Sequence, residues 1–134
     1  MADEIELQIA TPERMLVQEH VAEVQVPAAN GYLGVLPGHA PLVAELGTGF
    51  LWYQVGGRRR YLAVHGGFVE VLPKKVRVLA DAAERAEEID VQRARKALQR
   101  AQELLVKSAL GVDPAFALDA MRRAETRLEA AAHK

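Results

Sequence analysis

Apolar and polar residues alternate along the first part of the chain. Ile5, Leu7 and Ile9 interleave with Glu6 and Gln8, and Ala22, Val24 and Val26 interleave with Glu23 and Gln25. A period of two places every second side chain on one face, so these runs predict strands with one buried face. In "FLWYQVGGRRRYLAV" two β-prone runs flank Gly56-Gly57, a pair suited to the tight primed turns of hairpins. "HGGFVEVLPKKVRVLA" repeats the arrangement around Pro73-Lys74-Lys75. Short strands with frequent turns, continuing to about Asp81, predict an N-terminal antiparallel β-sandwich or flattened barrel.

The period then changes. "EEIDVQRARKALQRAQELLVKSAL" is built from good helix formers, with Ala94, Ala97 or Leu98, Ala101 and Leu105 as one stripe. A second helix is predicted from Asp113-Pro114, because Asp is a favoured N-cap and Pro is tolerated at the first helical position. Ala117, Ala120 or Met121, Ala124 and Leu128 continue it at helical spacing. "KSALGVDP", with Gly111 as a helix terminator, is short enough to make the helices antiparallel neighbours. Asp81 with Glu84 also resembles a capping box that would start the first helix earlier. The boundary falls between Ala82 and Glu88. The expected organisation is α+β, with a β-sandwich over 1–86 and a two-helix hairpin over 87–134.

One stretch fits neither period. "YLGVLPGHAPLVAELGTG" sets Gly34, Pro37, Gly38, His39 and Pro41 among apolar residues. Gly admits positive φ and Pro removes a donor, so the run reads as a shaped loop rather than a strand or helix. Its apolar side chains either close the end of the sandwich or cover a partner.

Composition narrows the class. With 134 residues, half of them hydrophobic, the chain can bury a modest core. Lys plus Arg number 17 against 18 acids, so bulk charge implies neither nucleic acid nor an anionic membrane. Absence of cysteine removes disulfides, thiol nucleophiles and thiolate metal sites. No basic-then-apolar leader and no run of about 18 apolar residues occurs, so neither an export signal nor a membrane span is expected. His20, His39, His65 and His133 lack metal-ligand spacing, and Ser108 lacks a nucleophile motif, so structural or surface roles are expected for them.

In combination, "GYLGVLPGHAPLVAELGTG", "VHGGFVEVLPKKVRVLADAAERAEEID" and the Ala/Arg-rich hairpin resemble the epsilon subunits of bacterial F-type ATP synthases, along nearly the whole chain. The resemblance implies a non-catalytic subunit of the central rotor stalk, whose sandwich contacts the gamma subunit and the c-subunit ring. It also implies a hairpin that rearranges toward the catalytic alpha and beta subunits and inhibits ATP hydrolysis. The implied location is the cytoplasmic face of the bacterial cell membrane, peripheral, with no direct span and no nucleic acid partner. On this reading Gly31, Tyr32, Leu36, Gly38, His39 and Ala40 form the interface, with Gly34, Pro37 and Pro41 also shaping its turns.

Ile89-Asp90-Val91-Gln92-Arg93-Ala94 matches the Ile/Leu-Asp-x-x-Arg-Ala motif associated with ATP binding in that family. Arg93 and Arg100 lie two helical turns apart and Arg123 and Arg127 one turn apart, so each pair shares a face. In an antiparallel hairpin both pairs can converge on one polyanion, and the guanidinium fork matches phosphate oxygens. The family comparison implies Glu84, Ile89 and Asp90 near adenine or ribose and Arg93, Arg100, Arg123 and Arg127 near the phosphates. No Walker-type loop accompanies them, so the expectation is ATP as a regulatory ligand bound without hydrolysis, with no required cofactor. The alternatives are a solvated helix face, preferred for Arg95 and Arg122, or arginines that contact acidic surfaces of the catalytic head. Asp90 equally suits the positive end of the first helix. ATP would hold the hairpin against the sandwich, and low ATP would let it extend.

The rival readings are a free-standing β-sandwich binding module without a rotor role, for which aromatic platforms are few, and a small hydrolase, for which no convergent nucleophile and base are found.

Overall fold

The computed structural model describes residues 3–107, 111 and 113–134. Seven strands form one hydrogen-bonded sheet that folds over itself: β1 (Ile5–Ala10), β2 (Met15–Val21), β3 (Glu23–Ala28), β4 (Gly31–Val35), β5 (Leu42–Val55), β6 (Arg58–Leu72) and β7 (Lys75–Arg85). Their order is β2-β1-β7-β6-β5-β3-β4. The alternating residues of the sequence pattern close on one another: Ile5, Leu7, Ile9, Val24, Val26, Val64, Val76 and Val78 all lie in one buried cluster. Ala22 departs from the expected face. It is exposed at the break between β2 and β3, where the alternation is interrupted.

The long strands β5, β6 and β7 pass from one layer to the other. Their ladders skip Gly47, Gly66 and Asp81, which marks the corner. Gly67 sits there with φ of 116°, and a Cβ on it would lie 2.1 Å from the Leu79 carbonyl oxygen. Glycine is required at that position because two backbones approach where a side chain would stand. Val55 pairs with Arg58, so Gly56-Gly57 is a two-residue turn with both φ angles positive, as expected for a primed turn. The next turn is tighter than predicted, since Leu72 pairs with Lys75 and only Pro73-Lys74 remain outside the ladder.

Three expectations need correction. The sheet is not wholly antiparallel, because β1 pairs with β7 in parallel. Hydrophobic alternation is identical for either direction, and the β6–β7 hairpin sets the direction in which β7 reaches β1. The stretch from Tyr32 to Gly49 is not one loop: β4 and β5 claim most of it, leaving 36–41 as the connection. Gly34 is tolerated in β4 because that strand lies at the sheet edge, where little packing depends on its side chain. The Asp81–Glu84 capping box does not form, because pairing of β7 with β6 continues to Arg85 opposite Leu62.

A single 3-10 turn, Ala86–Glu88, leads to α1 (Val91–Lys107) and then α2 (Pro114–Ala131). The Asp90 side chain accepts from the Arg93 backbone N–H at 3.1 Å, so it caps α1. Asp113 caps α2 through the Ala115 N–H at 2.9 Å, with Pro114 following. Ala94 and Ala101 of α1 and Ala117 and Ala124 of α2 are buried in the hairpin seam, while Ala97, Leu98, Leu105, Ala120, Met121 and Leu128 are half-buried. Ser108 lies outside the described residues.

Candidate functional site

The strand-to-helix junction brings distant charges together. Glu84 stands near the end of β7, Asp90 caps α1, Arg93 and Arg100 rise along α1, and Arg127 reaches in from α2. With Glu88, Gln92, Ala94, Lys96 and Ala97 they line a cleft of about 670 Å³. Arg127 Nε donates to Glu84 Oε1 at 2.5 Å, the contact that ties α2 to the sandwich across this cleft. Arg93 and Arg100 make no ion pair among the described residues. Three cations of one α1 face therefore border a cleft whose carboxylates, apart from Glu84, face other partners. Asp90 is engaged by its cap, and Glu88 pairs with Arg14 at 2.9 Å and with Arg85 at 3.7 Å.

Two residues of the expected set stand outside. Ile89 is 3 % exposed, packed with Ala63, Ala130 and Ala131, and its carbonyl accepts from Lys134 Nζ at 3.1 Å. Its side chain anchors the hairpin, because an apolar group between a strand and a helix is better buried than presented to a polar ligand. Arg123 is half-buried on α2 and does not line the cleft. Conversely, Lys96 was not expected. It sits at helical spacing between Arg93 and Arg100, and that spacing was a legible signal. Arg95 is exposed on another face of α1, and Arg122 borders a separate cleft with Tyr32 and Glu125.

The expected interface set also divides. Leu36 is 59 % exposed, Gly38 takes φ of 88° and donates its N–H to the Pro73 carbonyl at 2.7 Å, and the His39 ring bonds through Nδ1 to the Ala40 carbonyl at 2.7 Å. These contacts fasten the 36–41 connection to the β6–β7 turn and leave Leu36 and Ala40 outward. Gly31 opens β4 at an exposed position. Tyr32 belongs elsewhere: its ring lies 5.2 Å from Phe50, on the sheet face that receives α2. Burial raises its phenol pKa, a backbone hydrogen bond from Phe50 opposes the shift, and the Glu129 carboxylate of α2 adds to it. The inward face of β4 buries Val35 and half-buries Leu33, but the alternation does not say what its outward face, which carries Tyr32, lies against.

A second surface was missed. Val43, Phe68 and Leu79 are 70 %, 58 % and 53 % exposed, with Phe68 directly opposite Leu79 in the ladder. They form an apolar patch on the outer face of the sheet near the 36–41 connection. Its only sequence signal was the outward phase of the alternation in "GFVEVL".

The hairpin's hold on the sandwich is small. α2 meets β5 and β6, where Ala130 and Ala131 pack with Ala63, Ile89 and the edge of Phe50. Each alanine methyl adds only about 0.8 kcal/mol of burial. Beyond these, the His133 ring stacks on Tyr61 at 4.0 Å between centroids.

Residues 4–86 match the family model described as ATP synthase, Delta/Epsilon chain, beta-sandwich domain, and residues 87–132 match ATP synthase, Delta/Epsilon chain, long alpha-helix domain. The chain is 65 % identical over 134 residues to an ATP synthase epsilon chain of Solibacter usitatus, covering 100 % of both. It is 52 % identical over 108 residues to one of Koribacter versatilis, covering 81 % of this chain and 76 % of that one. It superposes with a TM-score of 0.83 on a chain in the cryo-EM structure of Euglena gracilis mitochondrial ATP synthase, OSCP/F1/c-ring, at 31 % identity, covering 97 % of this chain and 82 % of the other.

Proposed function

The chain belongs to the delta/epsilon family of ATP synthase chains, as an epsilon subunit, and from that premise we propose that it couples the catalytic head to the c ring in the central stalk and restrains ATP hydrolysis through an ATP-sensitive hairpin. The observation that carries the regulatory part is the cleft bordered by Arg93, Lys96, Arg100 and Arg127. A triphosphate there meets charge-assisted donors from both helices, and a nucleotide spanning the cleft also touches the end of β7. Ligand binding then favours the compact state, because only in that state do β7, α1 and α2 border one space. Among the described residues, docking is carried mainly by a few alanine methyls, the Glu84–Arg127 ion pair and the His133–Tyr61 stack, so a difference of a few kcal/mol in ligand affinity is enough to shift it. On this reading ATP is a regulatory ligand, bound by a non-catalytic subunit that does not hydrolyse it.

The sandwich docks on the gamma subunit and the c ring. Leu36 and Ala40 of the 36–41 connection and the patch of Val43, Phe68 and Leu79 supply apolar area for this. The freed hairpin turns its helices toward the alpha and beta subunits. The subunit sits peripherally at the membrane through the complex, and no described helix is long and apolar enough to cross a membrane.

Removal of all residues after Glu88 tests the regulatory reading in the assembled complex. ATP hydrolysis should rise or lose its dependence on prior activation, while gamma remains associated. Hydrolysis at the intact rate across a range of ATP concentrations would remove the inhibitory role.

A further inference from the structure

Beneath α2 lies an ionisable side chain that the proposed function does not use. His65 on β6 stands opposite Thr48 of β5 and Ala82 of β7. It is two residues from Ala63, so it shares the sheet face that packs on Ala130 and Ala131. It is 7 % exposed, and neither Nδ1 nor Nε2 has a hydrogen-bond partner among the described residues. A neutral imidazole tolerates that setting at a modest penalty. An imidazolium does not, because it must give up water with no acceptor in return.

We propose that His65 is an acid-sensitive latch, whose protonation favours the state in which α2 has left the sheet. The charged groups around it reinforce the direction. α2 presents Arg123 and Arg127, both repelling a second cation, while β7 presents Glu84, which favours one but is already paired with Arg127. β5 presents the neutral Thr48, and the 3-10 turn packed on β6 carries Glu87 and Glu88, both exposed.

With α2 docked, burial first and then Arg127 hold the His65 pKa down to about 4; Arg123 adds to this and Glu84 opposes it. With α2 lifted the ring meets water and returns to about 6.5. The lifted state then binds more protons between those values, so docking is strongest above about pH 6.5, weakens as the pH falls through it, and stops changing below about 4. Between pH 8.0 and pH 5.5 the docking constant should fall about tenfold.

The chain has no cysteine, so a donor–acceptor dye pair on Gln18→Cys and Asp119→Cys, both exposed positions, reports the distance between sandwich and α2 in the full-length protein. Urea titration of transfer efficiency yields the docking constant at each pH. The latch predicts the tenfold loss in the parent, its disappearance in His65→Gln, and its retention in His133→Gln, the other histidine of the interface. An unchanged docking constant in the parent, or the same loss in His65→Gln, overturns it. Should His65→Gln fail to dock at all, His65→Leu keeps the site neutral and apolar and must abolish the pH dependence. NMR titration of the parent's ring gives an independent check: His65 titrating near 6.5 while α2 stays docked refutes the proposal.

Discussion

The Glu84–Arg127 pair makes the nucleotide proposal testable in sign as well as size. Both side chains are about one-third exposed, at 33 % and 32 %, so the pair itself is worth about 1 kcal/mol or less. A phosphate that takes Arg127 must displace Glu84. The net contribution of Arg127 to binding is then its charge-assisted contact, about 1.5 to 3 kcal/mol, reduced by up to about 1 kcal/mol. Arg93 and Arg100 carry no such deduction. Arg93→Ala and Arg100→Ala should therefore weaken ATP binding by about 10- to 150-fold, and Arg127→Ala, at the full deduction, by about 2- to 30-fold. Glu84→Gln should tighten binding by up to about fivefold, because Arg127 is released and a carboxylate leaves the cleft. Isothermal titration calorimetry at one fixed ionic strength measures all four, with Arg95→Ala as the control for diffuse charge. Weaker binding in Glu84→Gln would refute competition with the phosphates, and the dye-pair distance between sandwich and α2 would then tell whether Glu84 holds the base or ribose or instead keeps α2 docked. Equal losses at Arg95 and Arg93, or no heat with millimolar ATP, would remove the site.

Other outcomes follow from the same geometry. Gly67→Ala combines a strained φ with a Cβ 2.1 Å from the Leu79 carbonyl oxygen, so it should destabilise the sandwich by about 3 kcal/mol or more, seen as a fall of about 10 °C in Tm. Leu36→Asp and Phe68→Asp should reduce co-purification of gamma and the c ring while leaving stability within about 0.5 kcal/mol, since both side chains are more than half exposed; unchanged assembly in both variants would count against this docking face. Tyr61→Ala should loosen hairpin docking by about 2- to 13-fold, because it removes the His133 stack; His133→Ala should do the same, and the double variant should add little.

Much of the fold was legible in the chain because its code is local. Period two placed Ile5, Leu7, Ile9, Val24 and Val26 inside before any partner strand was known, Gly56-Gly57 specified its own turn, and Asp113-Pro114 specified the start of α2. The arginines of α1 were readable for the same reason: Arg93 and Arg100 share a face by helical geometry alone, and Lys96 between them carried the same signal. Whatever depends on which surfaces meet was decided only by tertiary structure. The parallel partnership of β1 and β7 leaves no trace in alternation, and the corner at Gly66-Gly67 looks locally like any turn. Asp81 and Glu84 satisfied the pattern of a helix start, yet the cross-strand ladder to Arg85 offered more hydrogen bonds than one cap. Tyr32 and Leu36 read as one rim. Tertiary packing separates them, because Tyr32 lies against Phe50 on the face that receives α2 whereas Leu36 stands on the 36–41 connection, although both side chains stay about half exposed. Docking of α2 buries His65 and gives Arg127 to Glu84, two charge relations between residues far apart in sequence that arise only where the layers pack.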